Sequence, residues 1–123
     1  MKIEVSNGEI IDKLTILQIK LERIKDPAKL KNLQKEYDEL YHMASSILKT
    51  SDLLWRALYD VNCELWDIED HIRDLERRKE FGDDFISTAR SVYFKNDKRA
   101  EIKKEINIRT ESGLFEEKSY EKY

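Results

Sequence analysis

The stretch SNGEIIDKLTILQIKLERI, residues 6–24, decides the fold. Ser6 and Glu9 stand three apart in a capping-box pattern: the hydroxyl can accept the Glu9 amide while the carboxylate reaches back, so a helix begins just after Ser6. Ile10, Leu14, Leu17, Leu21 and Ile24 then recur at spacings of four and three, which puts them on one helical face. Ile11, Ile16 and Ile19 widen that face enough to touch two neighbours. A helix this short is marginal alone in water, so the rest of the chain must supply those neighbours.

Reading outward, Asp26-Pro27 ends this helix and starts the next, because proline biases the residue before it away from helix yet suits a first helical turn. Leu30, Leu33, Tyr37, Leu40, Ala44 and Ile47 continue the spacing, predicting an antiparallel helical hairpin. After a break at Lys49-Thr50-Ser51-Asp52, with Ser51 or Asp52 as cap, the seam Leu54, Leu58, Val61, Leu65, Ile68, Ile72 and Leu75 predicts a third helix, expected to be the longest and coiled-coil-like. Phe81-Gly82-Asp83 is read as its C-terminal glycine and a new cap. A fourth helix follows, continuous or bent near Asn96-Asp97. The expected architecture is an all-α antiparallel bundle of four helices, at about 7–25, 27–48, 52–80 and 84–110. An extended tail, 111–123, is expected to dock by Phe115 and Tyr120, all within one domain. Composition agrees: 40% hydrophobic and 40% charged residues, with three glycines and one proline, leave little material for strands and turns.

The fourth segment carries the main functional clue. Its apolar stripe, Phe85, Ala89, Val92 and Ile106, is interrupted by Asn96, Arg99 and Lys103, and buried cations and amides need partners. On the third helix Asn62, Glu69 and Arg73 lie near the seam, with Glu64, Asp67 and Asp70 close by. Packed antiparallel, they can face Arg90, Asn96, Arg99 and Lys103 and fix the register of the seam. Glu9 and Asp12 on the first helix are further partners. The functional alternative is an anion pocket in which Arg90, Arg99 and Lys103, with Asn96, present donors to a phosphate or carboxylate. Glu64, Asp67 and Asp70 also recur three apart and can share a magnesium ion with Glu9 or Asp12, although a chain with 26 acidic residues produces such triplets by chance.

His42 and His71 lack neighbours at metal-ligand spacing, and Cys63 has no nucleophile signature and excludes an internal disulfide. Trp55, Tyr59 and Trp66 stand partly off the seam of the third helix and predict a second buried face, which a homodimer would supply. The formal net charge of −3 argues against nucleic-acid binding. No apolar run reads as a signal peptide or membrane span, so a cytoplasmic location is expected.

Four segments carry a family resemblance. They are Ser6-Asn7-Gly8-Glu9-Ile10-Ile11-Asp12-Lys13-Leu14-Thr15-Ile16-Leu17; Leu65-Trp66-Asp67-Ile68-Glu69-Asp70 followed by Ile72-Arg73; Ala89-Arg90-Ser91-Val92-Tyr93 with Asn96-Asp97 and Arg99-Ala100; and Glu116-Glu117-Lys118-Ser119-Tyr120. On these the chain resembles a family of short bacterial and phage proteins of unknown function, differing by Gln18 where glutamate is frequent. The resemblance transfers no activity or cofactor, but it implies that these segments belong to one pattern.

Two functions are therefore expected. The first is a non-enzymatic protein-interaction module, a homodimer with Trp55, Tyr59 and Trp66 at its interface. The alternative is a small enzyme or binding protein for a phosphorylated or otherwise anionic small molecule, with Glu69 or Asp70 as base or metal ligand.

Overall fold

The first three helices start where their capping side chains predict. In the computed structural model, which describes residues 1–114, 117 and 119–123, α1 spans Asn7–Arg23, α2 Pro27–Ile47, α3 Leu53–Arg77 and α4 Asp83–Arg109. Ser6 Oγ accepts the Glu9 amide (3.2 Å), Asp26 Oδ1 the Ala28 amide (2.9 Å) and Asp52 Oδ1 the Leu54 amide (2.8 Å). The described residues contain no strand, so the chain is an all-α bundle. Phe115, half of the expected tail anchor, lies outside the described residues.

α1 is the central element. It packs against α2, α3 and α4, while α3 and α4 form an antiparallel hairpin and α2 leans on α1 alone. The expectation of two neighbours for α1 therefore falls one short: its Ile11, Leu14, Leu17 and Ile19 are all buried, which takes partners on three sides. The core joins Ile11 and Leu14 to Ala44 and Leu48 of the α2 end, Trp55, Leu58 and Val61 of α3, and Ile106 of α4. The α3–α4 hairpin is pinned at both ends, by Arg109 on Asp52 (3.0 Å) and His71 on Asp84 (3.0 Å).

Three details depart from the sequence reading. α4, with 27 residues, outlasts α3, with 25; of the two courses left open for it, it takes the continuous one through Asn96-Asp97. The left-handed residue that ends α3 is Lys79 (φ 56°), not Gly82. The Glu80 amide bonds back to the Leu75 carbonyl there (2.9 Å), closing a Schellman turn, and Gly82 instead caps the start of α4 without a side-chain bond. α4 ends the same way: Glu111 takes φ 53° and the Ser112 amide reaches the Asn107 carbonyl (2.8 Å). Finally, Tyr120 and Tyr123 are both largely exposed, 78% and 74%, and it is Tyr123 that adds ring contacts to α4, its centroid 5.4 Å from Tyr93 and 4.8 Å from Phe94.

Candidate functional site

Two polar rows meet where α1 crosses α4. Gly8, Asp12 and Thr15 follow spacings of four and three on α1, and Arg99, Lys103 and Asn107 follow spacings of four on α4, so each row forms a single stripe. Asp12 is the centre. Only 1% exposed, its Oδ1 accepts from Arg99 Nε (3.0 Å) and from Asn62 Nδ2 (2.9 Å), and its Oδ2 accepts from Arg99 Nη2. Asn62 Nδ2 also donates to Thr15 Oγ (2.9 Å), whose own proton goes to the Asp12 carbonyl (2.7 Å). The two-point grip of guanidinium on carboxylate is the geometry that best offsets the cost of burying the charges.

Toward the start of α1, Lys103 Nζ donates to Glu9 Oε2 (2.7 Å), so Glu9 turns to α4 rather than back to its own cap. The next bonds close the helix end itself. The Gly8 amide donates to Asn107 Oδ1 (2.6 Å), the Asn7 amide to Ser112 Oγ (3.0 Å) and Asn7 Nδ2 to Thr110 Oγ (3.0 Å). A helix N-terminus ordinarily attracts anions through such open amides; here Ser6, Asn107 and Ser112 occupy them. Gly8 makes this approach possible, since a Cβ on it would sit 2.5 Å from the Lys103 carbonyl oxygen.

Beyond Thr15 the helices part. A cleft of about 420 Å³ opens between Ile16 and Ile19 of α1, the α3 segment from Asn62 to Asp70, and Val92, Asn96 and Arg99 of α4. Its walls are largely apolar, with Trp66 and Leu65 on α3, and Glu69 and Asp70 stand on its exposed rim.

The expected network is thus assembled in part. Glu9, Asp12, Asn62, Arg99 and Lys103 meet as partners, and Asn96 borders the cleft. Arg90 does not join them. It lies nine residues from Arg99 on an unbroken helix, half a turn out of phase, and its guanidinium rests 5.9 Å from the Phe94 ring. Glu69 pairs with Arg73 on its own helix (2.7 Å), and both are exposed, so the acids that meet Arg99 and Lys103 come from α1 rather than α3. The carboxylate triplet is also dispersed: Glu64 takes Lys95, Asp67 takes Arg23 (2.5 Å) and Asp70 faces the cleft. Among the described residues no group of three or more His, Cys, Asp or Glu side chains is placed to hold a metal ion.

The α3 aromatics are covered mainly from within the chain. Trp55, 7% exposed, belongs to the core and cannot serve an interface; it stacks on Tyr59 (5.4 Å). The Tyr59 hydroxyl donates to Glu22 (2.6 Å), and that bond, helped by burial, pushes its pKa above the ordinary phenol value. Trp66 is half-buried, with the Arg23 guanidinium 5.8 Å from its ring. Cys63 is a half-buried free thiol. His71 holds the exposed Asp84 carboxyl below its usual range by hydrogen bonding to it.

Thr15, Asn107, Ser112 and the contact role of Gly8 were not anticipated from sequence. Asn107 extends the Arg99–Lys103 row by one more turn and Thr15 extends Gly8–Asp12, so the two complementary stripes were the available signal.

A family model matches residues 1–123, the whole chain. The chain belongs to DUF6165, a family of unknown function. No curated protein and no solved structure matches it. The family match runs through both polar rows and the cleft, and no helix among the described residues is long and apolar enough to cross a membrane.

Proposed function

We propose that this protein is a non-enzymatic interaction module that works as a homodimer. The observation that carries the reading is the closure of the polar row: Asp12 is taken by Arg99 and Asn62, and Glu9 by Lys103. Groups that would otherwise be candidates for acid–base or anion chemistry are committed to fastening α1 against α3 and α4, which makes the bundle a rigid support for its surfaces.

The surface that suits a second copy is the outer face of α4. Ile86 and Tyr93 lie two turns apart on one line of that helix, 54% and 42% exposed, and Phe94, which shares the Tyr123 ring contact with Tyr93, flanks them. Exposed apolar side chains aligned in this way are the usual material of an interface core. A formal charge of only −3 offers little repulsion between copies. Sedimentation across a wide concentration range tests the reading. A dimer that becomes monomeric on Ile86→Ser with Tyr93→Ser supports it, and a parent protein that stays monomeric throughout overturns it.

A further inference from the structure

The cleft between α1, α3 and α4 has an electrostatic character opposite to the anion pocket expected from sequence. The cations around it are already committed to carboxylates: Arg99 to Asp12, Arg73 to Glu69, Arg23 to Asp67 and Lys95 to Glu64. Asp70, on the rim, forms no ion pair among the described residues. An anion entering the cleft would therefore meet one uncompensated negative charge, and a cation would meet its complement.

A second observation, independent of charge, lies in the inner wall. Asn62 is only 6% exposed, and its Nδ2 is spent on Asp12 (2.9 Å) and Thr15 (2.9 Å). A carboxylate only accepts, so Asp12 fixes which way the amide faces. Asn62 Oδ1 is left as an acceptor without a donor among the described residues, on a side chain that borders the cleft and keeps this atom open to it. Across from it the half-buried Asn96 side chain also has no hydrogen-bond partner among the described residues. Amide groups that line a cleft without a protein partner are free to hydrogen-bond what enters it. Between these polar points the walls are apolar, with Ile19, Leu65, Trp66 and Val92, and the volume of about 420 Å³ is that of a small-ligand site.

We propose that this cleft binds a cationic nitrogen carried on an apolar stem, a primary ammonium or guanidinium, with Asp70 as counter-charge, Asn62 Oδ1 as acceptor and Trp66 as apolar wall. The chemistry is shared by a free alkylamine and by a lysine or arginine side chain. It does not depend on the homodimer reading.

The test is a titration of the full chain with n-butylammonium, with a short neutral-capped lysine peptide, and with 1-butanol and n-butyl phosphate as neutral and anionic counterparts. It is followed through the side-chain amide signals of Asn62 and Asn96 and the indole signal of Trp66. The ammonium probes should saturate these signals, butanol should be weaker and butyl phosphate should not compete. Asp70→Asn should weaken ammonium binding roughly fivefold or more while leaving the thermal midpoint unchanged, because Asp70 is exposed and forms no ion pair among the described residues. Tighter binding of the peptide than of butylammonium assigns the nitrogen to a partner protein, and the reverse assigns it to a free amine; both support the site. Equal or tighter binding of butyl phosphate, ammonium affinity indifferent to Asp70→Asn, or signals that no probe moves would overturn it.

Discussion

Replacing Gly8 by alanine tests the closest helix–helix approach in the molecule. The new methyl would sit 2.5 Å from the Lys103 carbonyl oxygen, 3.0 Å from Asn107 Oδ1 and 3.1 Å from the Lys103 carbonyl carbon. Two of these three atoms belong to the α4 backbone and cannot rotate away, so α1 and α4 must separate by about an ångström to reach ordinary contact. Overpacking of this kind costs roughly 1–3 kcal/mol. The separation also stretches the 2.6 Å bond from the Gly8 amide to Asn107, whose loss costs about 1 kcal/mol. Alanine's better helix propensity returns less than about 1 kcal/mol at an interior position, and less in a first turn. The net expectation is a destabilisation of about 2 kcal/mol, or a fall in Tm of roughly 8 °C for a chain of this length. Urea and thermal unfolding followed by circular dichroism measure it. Gly113→Ala is the control, since nothing lies within 4 Å of a Cβ there. A Gly8→Ala protein as stable as the parent would refute the close approach of α1 and α4.

Three further outcomes follow from local geometry. Lys79→Gly should stabilise the protein by about 1 kcal/mol, because Lys79 holds a left-handed conformation (φ 56°) that glycine adopts without steric cost; a loss of stability in urea would contradict the Schellman turn. Tyr59 has its folded pKa raised by the hydrogen bond to Glu22, so its contribution is complete below the ordinary phenol value and is lost as pH rises through the folded value. Tyr37 and Tyr123 are also raised, so absorbance titration at alkaline pH should show several late tyrosines, of which one returns toward the ordinary range in Glu22→Gln, and unchanged titration in that variant would count against the bond. Asp84 has its folded pKa lowered by His71, so its contribution is present above the unfolded carboxylate value and fades as pH falls through the folded one. Carbon NMR of the carboxyl should find Asp84 titrating late on acidification in the parent and nearer normal in His71→Ala.

The helices were legible because they are written in local terms. Ser6, Asp26-Pro27 and Asp52 each set a boundary through atoms within three residues, and the three-and-four spacing names the buried faces. What sequence could not convey was which helix faces which. The cationic row of α4 was visible, and Glu9 and Asp12 of α1 were among the partners named for it, but spacing alone could not separate them from Glu69, Asp70 and Arg73 of α3. Burial separates the two cases. Asp12 sits on the face of α1 that is covered by α3 and α4, while Glu69 and Arg73 project from the exposed rim of α3 and satisfy each other. Arg90 was grouped with Arg99 by composition alone; their nine-residue separation already placed them on opposite sides of any continuous helix. Lys79 escaped notice because a left-handed lysine has no sequence mark, and the nearby Gly82 drew the assignment.

The account rests on the Asp12–Arg99 pair as the fastening between α1 and α4, and a double-mutant cycle in urea tests it most directly. Asp12→Ala should destabilise the protein by roughly 3 kcal/mol, because it removes the carboxylate that Arg99 grips in a buried seam and one of the two acceptors of Asn62. Arg99→Ala should cost somewhat less, its side chain being 29% exposed. The double variant should be little worse than Asp12→Ala alone, giving a coupling of about 2 kcal/mol. Losses that simply add would show that the two residues act independently and would contradict the central claim.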